Sequence, residues 1–226
     1  MQRGKEFWVK QLGVSWVEVL KPVLKTEEMD KLVNGLVFDY AFVNMYPEEK
    51  KDIFKAFRLC PFDNLRAVVI GTEPGPYTGT GSLAFADTSV IYTNASASKI
   101  RECVANYKKE LYLDFDTSFE HWASQGILML NRSLTCRKGE TRTHRDDWKK
   151  FFGMVLYSIT LYKPGTIFLL WGKEAIKYAE VLATDHHVFS WEHPMVADIK
   201  HTKWECPNFA QVDLLLETYG REKFNW

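Results

Sequence analysis

Three short runs of consecutive apolar residues punctuate this chain. Ala67-Val68-Val69-Ile70 is bounded by Gly71, Gly126-Ile127-Leu128-Met129-Leu130 and Thr166-Ile167-Phe168-Leu169-Leu170-Trp171 follow, and His187-Val188-Phe189-Ser190 is a fourth predicted strand. Short, continuous and rich in β-branched residues, such runs predict strands buried on both faces of a sheet. After each strand the apolar spacing turns helical, around residues 99–113, 148–161, 173–182 and 209–219. Ahead of the first strand, residues 15–36 show the same spacing, interrupted at Pro22 and restarted at Thr26-Glu27-Glu28. There a threonine N-cap precedes acidic residues that suit the helix dipole. Pro47-Glu48-Glu49-Lys50 opens a short helix carrying Ile53, Phe54 and Phe57. Strands alternating with helices predict an α/β fold, one domain over residues 1–226 with a central parallel four-stranded sheet flanked by helices. In such sheets ligand sites gather at the carboxyl ends of the strands. That rule singles out Gly71-Thr72-Glu73-Pro74, Asn131, Trp171-Gly172-Lys173 and Glu192-His193-Pro194.

Composition narrows the setting. Hydrophobic residues make up 46% and aromatics 15% of 226 residues, enough for a sizeable core and too much for a disordered chain. Basic and acidic side chains balance at 29 each, so no global positive field announces a nucleic-acid partner and phosphate contacts must come from a local patch. Residues 132–150 offer one: Arg132, Arg137, Lys138, Arg142, Arg145, Lys149 and Lys150 stand against Glu140, Asp146 and Asp147. Cys60, Cys103, Cys136 and Cys206 are widely spaced without a CxxC pair, the pattern of buried free thiols in a reducing compartment. The N-terminus leads into no apolar signal core and no stretch approaches transmembrane length, so no membrane partner and an intracellular, cytoplasmic setting are expected. No metal cluster or cofactor motif is visible.

The four strand-end segments carry a resemblance. Gly71-Thr72-Glu73-Pro74-Gly75-Pro76-Tyr77 resembles the water-activating loop of uracil-DNA glycosylases, and a glycine-rich turn and strand, Gly81-Ser82-Leu83-Ala84-Phe85, follow it as in that family. Gly126 through Thr135 is similar to the family's strand ending in a base-reading asparagine. Leu169-Leu170-Trp171-Gly172 and His187-Val188-Phe189 with His193-Pro194 are similar to its last two strands, and Ser15-Trp16 and Met45-Tyr46-Pro47 stand where family landmarks do. The matches run in order along most of the chain.

The resemblance implies a monofunctional DNA glycosylase that needs no cofactor, acting as a monomer on single- or double-stranded DNA. Such enzymes flip the target base into a pocket. Phe85 matches the stacking phenylalanine, Asn131 the residue that pairs with a pyrimidine edge, and His193 the group that stabilises charge on the leaving base. Glu73 stands where the family orients water with an aspartate. Thr72 replaces a glutamine, and Gly75 a tyrosine whose ring walls off the C5 side of the base. That last exchange implies a C5-modified pyrimidine substrate, hydroxymethylated or glucosylated, with Thr72, Tyr77 and Thr78 offering hydroxyls to the substituent. Ordinary uracil excision and a catalytically weak DNA-binding or replication-accessory role are the alternatives. Ser96, Ser98, Arg132, His144, Arg145, Met195 and Ala197 match positions at which the family meets DNA, His144 serving either loop structure or a phosphate contact and Ala197 taking the place of the leucine wedge.

Overall fold

The computed structural model describes residues 4–75, 79, 81–89, 94–110 and 115–226. Three helices lead: α1 (Lys5–Leu12), α2 (Val14–Leu24) and α3 (Glu27–Phe42). Thr26 caps α3 by accepting the Met29 N–H, a contact of a kind that contributes about 1 kcal/mol. Pro22 lies inside α2 without ending it. The short β1 (Met45–Tyr46) and α4 (Lys55–Leu59) then lead to β2 (Ala67–Gly71). Helices α5 (Ala95–Lys108) and α6 (Glu120–Ser124), strands β3 (Ile127–Asn131) and β4 (Cys136–Arg137), and α7 (Lys149–Tyr162) follow. The chain continues with β5 (Ile167–Trp171), α8 (Lys173–Ile176), α9 (Ala179–Leu182), β6 (His187–Trp191), α10 (Pro194–Ile199) and α11 (Asn208–Thr218).

The four long strands form one parallel sheet in the order β3-β2-β5-β6, as the apolar runs predict. All five residues of β2, β3 and β5 are buried, while β6, on the edge, is only partly covered. Register pairs Gly71 with Asn131 and Trp171 with Trp191, so the carboxyl ends of all four strands meet along one edge. A small antiparallel pair, β1 with β4, sits beside it.

Two expectations are corrected. Residues 81–85 form a turn, not a strand: the Gly81 N–H donates to the Ala86 carbonyl across it, and Phe85 has φ +64°, which extended backbone cannot accommodate. The helical stretch after β5 divides into α8 and α9. All four cysteines are buried and free, and among the described residues no helix is long and apolar enough to cross a membrane.

Candidate active site

Beyond the carboxyl edge, β3 delivers Asn131, which is 2% exposed, and neither its amide oxygen nor its amide nitrogen finds a hydrogen-bond partner among the described residues. A buried amide left so costs about 1–3 kcal/mol per unpaired group, a penalty that a ligand relieves by supplying the partners. The fold makes room for this side chain: a Cβ on Gly71 would stand 2.4 Å from Asn131 Oδ1 and 2.8 Å from Ala84 Cβ. One residue past Ala84, the left-handed backbone at Phe85 aims an aromatic ring at the same place. A bulky residue in that conformation is rare and is retained where the ring's position matters. Its centroid lies 5.5 Å from Trp171 and 5.4 Å from His193. Trp171 is fully buried, edge-on to Trp204 and donating to Asn208 Oδ1 at 2.9 Å, and so backs the phenyl ring with a rigid surface.

His193 is the N-cap of α10, with Pro194 at the first helical position. Its Nδ1 accepts the Met195 N–H at 3.1 Å, so the neutral ring carries its proton on Nε2. Burial lowers its pKa below the ordinary histidine value, favouring that neutral form. The ring nests against Gly172, where an added Cβ would meet His193 Cβ at 2.7 Å and where φ is +94°. Gly172→Ala is therefore expected to destabilise the protein by about 1–3 kcal/mol through overpacking and backbone strain together. Gly139, at φ +80° with nothing within 4 Å of its Cβ position, supplies the control. If urea unfolding shows Gly139→Ala losing as much, the His193 contact adds nothing.

Glu73, half-buried two residues past β2, accepts the Arg142 backbone N–H on both carboxylate oxygens, at 3.0 Å and 2.8 Å. Burial raises its pKa, opposed by that N–H and by the charges of Arg142, Arg132 and His144. The Cys136 thiol, its pKa pushed up to about 12 by burial, donates to the Pro74 carbonyl at 3.1 Å and ties this turn to β4. Thr72 is half-buried and its carbonyl accepts from Ser133 N at 3.0 Å; Gly75 is half-buried, while Pro76, Tyr77 and Thr78 lie outside the described residues.

Several expected DNA contacts are corrected. Ala197 is 0% exposed because α10 turns it inward, leaving Met195 and Ile199 as the exposed apolar residues of that helix. Ser96 is buried in α5, beside a half-buried Ser98. His144 is buried, in keeping with its loop-structural reading: its Nδ1 meets Thr135 Oγ1 at 2.8 Å and its Nε2 meets Asp39 Oδ2 at 2.9 Å, so it fastens a loop. Trp148 also donates to Thr135, and Arg137 pairs with Asp39 at 3.3 Å. Arg132 and Arg145 converge on Glu174 at 3.2 Å and 3.1 Å, which uses part of the local basic excess internally. Lys138, Arg142 and Lys149 are exposed. No sequence motif marks Asp39, although it occupies the buried stripe of α3 after Met29, Leu32, Val33 and Leu36, where a carboxylate requires a partner.

A buried amide without partners among the described residues, an aromatic ring, a histidine and a half-buried carboxylate thus line one strand edge. Comparisons with known proteins address the chain as a whole. The uracil DNA glycosylase superfamily model matches residues 57–212. Uracil-DNA glycosylase from Chlamydia trachomatis serovar L2b is 31% identical over 229 residues, covering 97% of each chain. Uracil-DNA glycosylase 1 from Listeria monocytogenes serotype 4b is 30% identical over 220 residues, covering 94% of this chain and 96% of its own. The crystal structure of mimivirus uracil-DNA glycosylase shares the fold, with a TM-score of 0.81 at 16% identity over 94% of this chain and 86% of that one.

Proposed function

The chain belongs to the uracil-DNA glycosylase superfamily, and on that footing we propose that it removes uracil from DNA by hydrolysing the N-glycosidic bond, its 226 residues acting as one glycosylase domain. The single observation that carries the reading is Asn131, a buried amide whose donor and acceptor have no partner among the described residues. The edge of a flipped pyrimidine supplies both complements at once. Phe85 stacks on the base. The Nε2–H of His193 donates to the base's O2 as negative charge builds there in the breaking of the glycosidic bond. Glu73 carries negative charge toward the sugar, where it offsets the developing cation and orients the attacking water. None of these steps calls on a redox group.

Uracil is the base that the relatives' names support. One feature of this chain favours a second reading within the same chemistry. Gly75 stands where the resemblance puts the family's tyrosine, and a glycine offers no side chain to stand against C5. A C5 hydroxymethyl or sugar would then be accepted. Single-turnover formation of abasic sites in matched oligonucleotides separates the readings. Uracil is expected to be excised by the wild type, with C5-hydroxymethyluracil tolerated. Gly75→Tyr is expected to suppress the substituted base about tenfold or more while sparing uracil, because the new ring overpacks only the larger substrate. Wild-type cleavage of substituted bases with uracil left intact would make the second reading the function. Equal slowing of both bases by Gly75→Tyr would reduce Gly75 to a turn residue. DNA binding with no cleavage of any pyrimidine would leave an accessory protein.

A further inference from the structure

Glu73 is one methylene longer than the aspartate its family resemblance leads one to expect, and a longer side chain has more freedom to miss its target. The loop of residues 137–145 answers that freedom. Both oxygens of Glu73 receive one backbone N–H, that of Arg142. Arg142 has φ +62°, a left-handed conformation uncommon for a residue with a Cβ, and that conformation points its N–H at Glu73. Around it the loop is pinned from several directions. Arg137 N donates to Thr143 Oγ1 at 2.9 Å, His144 is held between Thr135 and Asp39, and Arg145 pairs with Glu174. The opposite side of the turn is held by the Cys136 thiol on the Pro74 carbonyl.

We propose that Arg142 is a positioning residue whose backbone N–H, presented by a left-handed turn, clamps the Glu73 carboxylate in the orientation that serves the reaction. The proposal rests on the glycosylase reading for its consequence, not for its geometry. The groups facing Glu73 are Arg142, Arg132, His144 and Cys136. Of these only the Arg142 N–H touches both carboxylate oxygens among the bonds of the described residues.

Two substitutions isolate the N–H from the guanidinium. Arg142→Asn and Arg142→Val both remove the charge at an exposed position, so any loss of DNA attraction is common to them. Asparagine adopts positive φ readily, whereas a β-branched valine resists it and turns the N–H away. The valine variant is expected to excise about tenfold more slowly than the asparagine variant at saturating DNA, the scale of a lost bond to a charged group. Its acid limb is also expected at higher pH, because the N–H stabilises the ionised carboxylate. In the DNA-free proteins, carbon-13 NMR titration of Glu73 is expected to place the carboxyl higher in Arg142→Val than in Arg142→Asn. Coincident rates and coincident titrations in the two variants would overturn the clamp. If the wild type cleaves no base at all, the glycosylase reading fails, and the substrate-free titration alone decides the clamp.

Discussion

His193→Ala is expected to slow base excision about 10²–10³-fold, the effect of removing one donor from a developing oxyanion. Affinity for DNA is expected to change little, since the Nε2–H bond strengthens as the base departs and contributes mainly in the transition state. The structure supplies a competing cause to control for. His193 is also the N-cap of α10 and accepts the Met195 N–H, so alanine removes a cap as well as a donor. His193→Asn separates the two, because asparagine is a good N-cap with a shorter reach. Single-turnover excision should be comparably slow in both variants. A near-normal rate in His193→Asn would assign His193 to holding α10, and a near-normal rate in His193→Ala would remove it from the site.

What the sequence could disclose follows from where each residue's information resides. The strands β2, β3 and β5 are buried throughout, so each is a continuous apolar run that stands out of the chain. The placement of Asn131, Glu73 and His193 at one edge follows from that topology, since parallel strands with crossover helices end on the same side. Conformation defeats the pattern at Phe85. Leu83-Ala84-Phe85 alternates plausibly for a strand, yet the ring is needed at φ +64°, and no apolar count encodes that. Helix α1 buries only Trp8 and Leu12, too few positions for a period to be legible. The alignment of Ala197 with a wedge says nothing of the helix that begins at Pro194 and turns this residue into the core. The partner of Glu73 is a backbone N–H, a group every residue but proline carries, so no side-chain identity marks Arg142 for that contact.

Glu73→Gln is expected to lower the excision rate about 10²–10⁴-fold, the range over which a positioned general base contributes. Glutamine is nearly isosteric and can still accept the Arg142 N–H, so the variant removes charge and basicity with little change of shape. The pH dependence identifies the group independently. Burial raises the Glu73 pKa and lowers that of His193, so the two move toward each other from their ordinary values. The reaction needs Glu73 ionised and His193 neutral. Because the carboxyl pKa is raised, the active ionised form is lost as pH falls through a value above the ordinary glutamate range. The histidine, its pKa lowered, stays neutral further into acid than a free imidazole. The wild-type acid limb is therefore expected to lie above the ordinary glutamate range and to disappear in Glu73→Gln, whose residual rate stays flat there. If Glu73→Gln keeps the wild-type limb, the titrating group is His193 or another residue. If it also keeps the wild-type rate, water is activated without Glu73, and leaving-base stabilisation by His193 carries the catalysis.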